Sequence, residues 1–156
     1  EEAQAFTQFE QTLEVIASIA ALLDQNGIAA GFATDASIEG NNTFYRSMRK
    51  DPGHLASILE ILARMRMEKG RNLTETLRSK GDLPFGVTCL CFSYRIGKAS
   101  RAAAEYFRQR RIPVIHYVCV NPTDQAPAAP NSKTRSVRAI HDLLLDKKMR
   151  LTDAAA

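Results

Sequence analysis

The side chains best suited to chemistry near neutral pH are the histidines and cysteines, and the sequence contains three of each. His54, His116 and His141 are far apart and lack the short spacing, as in HExxH, that brings two imidazoles to one metal. His116 lies inside a predicted strand, where we expect a hydrogen-bonded core histidine. A nucleophilic pair of His116 and Cys119 fails on geometry, because strand residues three apart point to opposite faces.

The cysteines all fall within predicted strands, and Cys89 and Cys91 point to the same face. Their number is odd and no CxxC occurs, so neither a complete disulfide framework nor a common zinc motif is indicated. Small apolar side chains suit strand cores. We therefore predict that all three are buried free thiols in a reducing compartment, as in the cytoplasm.

Motifs that bind phosphate or build a nucleophile are missing from the sequence. No GxxxxGK[ST] loop, GxGxxG strand–helix turn or GxSxG elbow occurs. The chain is therefore predicted not to be an enzyme and to need no cofactor. No apolar run approaches the roughly 20 residues that span a bilayer, so no membrane segment is predicted in this chain.

The formal net charge is +4, with many basic residues in the second half of the chain. The residues in question are Arg108, Arg110, Arg111, Lys147, Lys148 and Arg150. They could form a patch for nucleic acid or another anionic ligand. The favoured interpretation is that they are solvated helix ends that complement the helix dipole. No aromatic residues alternate with these charges, so base stacking has no platform and nucleic acid is the less favoured partner.

The elements that must position any site centre on a strand, a helix and a second strand. Val87–Phe92 and Val114–Val120 are continuous apolar runs, as expected for strands covered on both faces. Between them Ala102, Ala103, Tyr106 and Phe107 form the apolar stripe of a helix. Such a unit predicts two parallel strands with a crossover helix.

The first half of the chain predicts a helix followed by a hairpin. Apolar residues repeat at helical spacing from Phe6, and Asn26-Gly27 ends the helix. A strand at Ile28–Thr34 and another at Thr43–Met48 are separated by turn formers in residues 35–42. They predict an antiparallel hairpin at a sheet edge.

The remaining segments predict further helices. Asp51, followed by Pro52, is the predicted N-cap of a helix that ends at Gly70. Asn72 begins a short predicted helix that continues through Leu77 or Arg78. Residues 121–133 are predicted to form a proline-rich loop. A last helix follows, and it carries an apolar face. That face consists of Val137, Ile140, Leu143 and Leu144.

This order of elements predicts one α/β domain over residues 1–156, a three-layer sandwich with a mostly parallel sheet between helices. One feature is unusual: the chain opens with an amphipathic helix, whereas a doubly wound sheet generally places a strand before it.

The run from Phe9 to Gly27, then IAAGFATD, HLASILEILARM and LPFGVTCLCFS, resembles the von Willebrand factor A-like region of bacterial domain-of-unknown-function family 58 proteins. The resemblance extends from Phe6 to Val120. It implies a vWA/Rossmann-like fold that here lacks the first strand. Proteins of this family are often encoded beside MoxR-type AAA+ ATPases.

In such domains the first strand ends in Asp-x-Ser-x-Ser, which holds a divalent metal together with a threonine and an acidic residue from later loops. Residues 1–7 contain no such motif, and residues 35–39 (DASIE) imitate it only within a predicted hairpin loop. Thr74 and Ser93 correspond to the later loops, and a helix-capping hydroxyl and a turn residue are their alternative roles. The resemblance therefore implies no working metal site in this chain.

We expect, from the resemblance, a non-catalytic scaffold that binds a protein, with an AAA+ ATPase as the implied partner. A missing central strand would leave an apolar seam, which the chain could close by pairing its own strands or by forming a homodimer. The alternative is a basic surface that binds nucleic acid or an anionic ligand. A cytoplasmic location is predicted, with membrane anchoring of the parent protein left open.

Overall fold

The computed structural model describes residues 2–40, 45–80, 83–119, 133–137 and 140–146. It is a mixed α/β structure whose sheets are all small. The elements are α1 (Glu2–Gln25), β1 (Ala30–Ala33), β2 (Ala36–Ile38), β3 (Tyr45–Arg49), α2 (His54–Arg64), β4 (Met65–Lys69), α3 (Leu73–Ser79), β5 (Cys89–Ser93), α4 (Lys98–Gln109), β6 (Val114–Val118) and β7 (Lys133–Ser136). Residues 140–146 are helical.

The first helix and its end are confirmed. Gly27 adopts φ +65°, and its amide donates to Asp24 O at 3.0 Å while the Ile28 amide donates to Leu23 O at 2.9 Å. This is the Schellman arrangement, in which a left-handed residue satisfies the last helical carbonyls. The hairpin is also confirmed, since β1 pairs with β3 in antiparallel orientation.

The predicted turn over residues 35–42 and the predicted helix through Gly70 are both wrong in part. Residues 36–38 form β2, which pairs antiparallel with β4, and α2 ends at Arg64. Met65 turns to an extended conformation, and an Arg66–Glu39 ion pair of 2.6 Å joins the two strands. Pairing between distant segments overrides the helical periodicity that continues to Met65.

The predicted N-cap of α2 is wrong. Asp51 and Pro52 precede the helix, which begins at His54 with Gly53 as its N-cap at φ +86°. The His54 ring nitrogen Nε2 lies 2.6 Å from the carbonyl oxygen of Ala30. This contact with β1 fixes where the helix starts.

The parallel pairing of β5 with β6 is confirmed, in register from Cys89↔Val114 to Ser93↔Val118. The third strand, β7, pairs parallel with β6 and was not predicted. Its sequence, KTRS, has no apolar alternation, so backbone pairing rather than side-chain pattern defines it. The predicted loop over residues 121–133 lies outside the described residues, except for Lys133 in β7.

The core consists of three apolar clusters, two of which contain residues of the sheet β5-β6-β7. In one of them, Val15 of α1, Tyr117 of β6 and Val137 share a cluster that also contains Ile140 and Leu144. The other two clusters connect the remaining helices to strands. Their buried members are Leu77, Tyr106 and Phe107 in one, and Ala20, Ile58 and Leu62 in the other.

Two residues assigned to buried helical faces lie in water instead. Ala102 is exposed whereas Ala103 is 1% exposed, so the buried stripe of α4 runs along Ala103, Tyr106 and Phe107. Leu143 is 64% exposed, while Ile140 and Leu144 contact the core. In the part of the chain that the structure describes, no helix is both long and apolar enough to cross a membrane.

Candidate functional site

The two positions that the resemblance connects with a metal are not brought together by a hydrogen bond. Thr74 is the second residue of α3, and its amide donates to the true N-cap, Asn72 Oδ1, at 3.0 Å. Thr74 is therefore not the capping hydroxyl. Ser93 is the last residue of β5, not a turn residue, and its Oγ is buried without a hydrogen-bond partner.

Within the described ranges no group of three or more His, Cys, Asp and Glu side chains is placed to hold a metal ion. Residues 35–39 (DASIE) make contacts with the segment around β4 instead. The carbonyl of Asp35 accepts from the amides of Gly70 and Arg71, and the Glu39 carboxylate pairs with Arg66. These contacts join β2 to β4.

The cysteines are free, as predicted. Burial, with a smaller effect from the neighbouring Cys91, raises the pKa of the Cys89 thiol to about 12. Burial, with a smaller effect from Asp35, raises the pKa of Cys91 to about 11. Burial also raises the pKa of Cys119, partly offset by a contact of 3.3 Å with Thr12 Oγ1. All three are protonated at neutral pH and therefore poor nucleophiles.

His116 is 2% exposed, and its Nδ1 is buried without a hydrogen-bond partner, so the predicted satisfied histidine is wrong at this nitrogen. Burial lowers its pKa. Its strand neighbours Ile115 and Tyr117, like Cys119, belong to the cluster on the α1 side, which agrees with His116 and Cys119 lying on opposite faces.

The predicted basic patch is only partly described. Arg108 forms two hydrogen bonds with the Glu105 carboxylate, at 2.6 and 2.7 Å, and Arg110 stacks 3.7 Å above the Tyr106 ring. Arg111 holds φ +56° in the turn after α4. Lys147, Lys148 and Arg150 lie outside the described residues. The patch stays a prediction, with two of its members engaged in contacts on their own helix.

A pocket of about 440 Å³ lies between β3 and the start of α2, at residues that sequence reasoning did not single out for binding. Its basic members come together through a β-bulge. From Ala30 to Phe32 the first strand advances two residues, while their partners Arg49 and Arg46 are three apart. The extra residue shifts the alternation, so both arginines face the same side as Ala30 and Phe32.

One sequence signal could have located this bulge. Gly31 stands inside an apolar strand pattern, and a glycine there often marks a bulge or a close backbone approach. A Cβ at this position would lie 3.0 Å from Arg46 O and 3.1 Å from Met48 Cγ. The bulged strand therefore fits closely against Gly31, where a larger side chain has no room.

The second feature with binding capacity is the edge of β5. The Cys89 amide donates to Pro113 O at 2.9 Å, and Ser93 O accepts from the Cys119 amide at 3.3 Å. The N–H and C=O groups of one strand residue point to the same edge, and this edge alternates from residue to residue, so those of Leu90 and Phe92 point away from β6. In the described part of the chain no strand pairs with that edge.

Comparisons with known proteins were made by family model, by sequence and by structure. None of the three finds a match. The site is therefore interpreted from its own contacts: an unpaired strand edge at β5 and a basic pocket beside α2.

Proposed function

We propose that this chain is a non-catalytic protein–protein interaction scaffold, resembling a von Willebrand factor A-like domain, that works with an AAA+ ATPase of the MoxR type. One observation carries the proposal: the hairpin of β1 and β3 and the parallel sheet pack against the same helices, and among the described residues each has an edge without a strand partner. Such an edge is a site at which another chain can pair.

The hairpin and the sheet share a core on one side through α1. Val15 packs with Tyr117 of β6, whereas Ala20 packs with α2 in a cluster that includes Phe32 of β1. On the other side, Ala33 of β1 and Cys89 of β5 belong to one cluster, built on Tyr106 and Phe107 of α4. Strands β1 and β5 thus contribute to one apolar cluster without being hydrogen-bonded to each other.

This arrangement supports a three-layer, Rossmann-like sandwich in which one strand position between β1 and β5 is open. A strand inserted there would accept from Leu90 and Phe92 amides on one side and pair with β1 on the other. Its side chains would enter existing apolar clusters, so main-chain pairing would supply affinity and side chains specificity.

The occupant can be a segment of a protein partner or of a second copy of this chain. The second case is the homodimer version, in which two copies cover each other's open edge. Free thiols at Cys89, Cys91 and Cys119, of which Cys91 is buried and the other two are partly buried, fit a reducing compartment, which supports a cytoplasmic location for the scaffold.

A direct test is co-purification with a MoxR-type AAA+ ATPase, using this chain and, in parallel, the full-length protein. We expect a complex that survives gel filtration. The test variant Phe92→Pro removes one amide from the open edge and leaves the Cys89–Pro113 bond in place, but it also removes the ring that stacks on Tyr117. Circular dichroism therefore checks that it folds, and Phe92→Leu, which keeps the amide, is the matched control. Phe92→Pro should fail to bind, whereas Phe92→Leu should bind.

No association of the ATPase with the chain or with the full-length protein would contradict the proposal. Sedimentation analysis tests the homodimer version separately. A compact monomer that binds no hydrophobic dye would contradict that version, because an open apolar edge is its premise.

A further inference from the structure

The pocket between β3 and α2 has the size and the charge of a small-molecule site. Its volume of about 440 Å³ falls within the range of ligand pockets. It is lined by Tyr45, Arg46, Ser47, Arg49, Asp51, Pro52, Gly53, His54 and Ser57. The lining residues therefore carry two guanidinium groups, three hydroxyls, an imidazole and one carboxylate.

We propose that this pocket binds a phosphate group carried by a small organic molecule. Arg46 and Arg49 make no ion pair with a carboxylate in the part of the chain that the structure covers. The Nε atom of Arg46 is buried and has no hydrogen-bond partner. A buried donor without an acceptor is costly, and a turn of the Arg46 guanidinium towards an anion in the pocket would supply that acceptor.

The geometry favours phosphate because its several oxygens can accept from more than one donor at once. The bulge places Arg46 and Arg49 on the same side of β3, where two planar guanidinium groups can contact one anion. Ser47 and Ser57 add hydroxyl donors. The positive end of α2, which has no side-chain cap at Gly53, reinforces the attraction without being the basis of the site.

The remaining groups limit and position the ligand. Asp51 brings one negative charge to the wall, so it should weaken the binding of an anion. His54 Nε2 donates to Ala30 O at 2.6 Å, which holds this ring in place at the wall. The cavity is larger than a phosphate ion, so the ligand is expected to extend beyond its phosphate.

This inference does not depend on the proposed scaffold function, because the pocket residues are distinct from the β5 edge. The test is a titration of the chain with ribose 5-phosphate, inorganic phosphate and ribose, followed by NMR chemical shifts. We expect saturable shifts at residues 46–57 with the two phosphates, tighter binding of ribose 5-phosphate, and none with ribose. Equal affinities for ribose 5-phosphate and inorganic phosphate would contradict the proposal that the ligand extends beyond its phosphate. Saturable binding of ribose would contradict recognition through the phosphate.

Substitutions locate the site. Arg46→Gln and Arg49→Gln should each weaken binding about tenfold or more, and Asp51→Asn should tighten it. Arg101→Gln, which removes an exposed charge on α4, is the matched control and should bind as the parent does. Arg46→Lys covers the case in which Arg46→Gln fails to fold. Absence of saturable binding, or equal weakening by Arg101→Gln, would overturn the proposal.

Discussion

His141 Nε2 lies 2.6 Å from Glu14 Oε2, a contact that joins the C-terminal helical segment to α1. Because a carboxylate only accepts, the imidazole nitrogen is the donor. His141 is 9% exposed, and its Nδ1 is buried without a partner. The contact holds the helical residues 140–146 next to α1, where Ile140 and Leu144 pack in the cluster of Val15.

We predict that this pair couples energetically. A double-mutant cycle with Glu14→Ala and His141→Ala, measured by urea unfolding at neutral pH, should give a coupling free energy of about 1 kcal/mol. Glu10→Ala, at an exposed position of the same helix, is the control and should not couple with His141→Ala. Strictly additive effects would show that the contact contributes nothing.

The ends of α1 and α4 have the same backbone geometry but different residues. Gly27 and Arg111 both occupy the left-handed position, and the amide of Ile112 donates to Phe107 O at 3.0 Å just as that of Ile28 donates to Leu23 O. Gly27→Ala should destabilise the fold by about 1 kcal/mol, and Arg111→Gly should stabilise it by roughly 0.5–1 kcal/mol. Thermal unfolding measures both changes in stability. If both substitutions stabilise the fold, or both destabilise it, the left-handed conformation does not explain the two effects.

Helices and strands that local pattern defines could be predicted from sequence. The α1 repeat ending at Gly27, the hairpin of β1 and β3, and the parallel pair β5 and β6 depend on periodicity and turn residues. The pairing of β2 with β4 could not be predicted, because it joins residues that are distant in sequence and that locally favour a turn and a helix.

His116 should make stability depend on pH. Burial lowers its pKa in the folded chain, so the unfolded chain takes up a proton at higher pH than the folded chain does. The contribution of His116 to the free energy of unfolding is fully present above the unfolded pKa of about 6.5 and is lost as the pH falls below that value. The free energy of unfolding then changes by at most about 1.4 kcal/mol per pH unit. Urea unfolding between neutral pH and mildly acidic pH should therefore show that the free energy of unfolding changes less steeply with pH in His116→Gln than in the parent chain. An unchanged slope would exclude His116 as the source.

The thiols should be inert until the chain unfolds. Burial raises the pKa of Cys89 to about 12 and of Cys91 to about 11, which leaves almost no thiolate at neutral pH. Labelling with a thiol-specific reagent is expected to be slow in buffer and rapid in denaturant, with all three cysteines reacting. Rapid labelling of Cys89 in the folded chain would contradict the burial that we describe.

The candidate sites were less predictable than the fold. Arg46 and Arg49 are three residues apart, which on a regular strand places them on opposite faces, and only the bulge beside Gly31 brings them together. The open edge of β5 was anticipated as a seam, but which amides face it depends on the bond between Cys89 and Pro113. Both features arise from pairing between strands, which a single sequence does not specify.

Amide hydrogen exchange along β5 tests the proposed scaffold most directly. In the isolated chain, the amides of Leu90 and Phe92 should exchange much faster than that of Cys89, which donates to β6. Addition of the MoxR-type ATPase, or self-association, should slow exchange at Leu90 and Phe92 and leave Cys89 unchanged. Unaltered exchange at both residues in a complex, or full protection of both in a monomer, would contradict an open strand position beside β5.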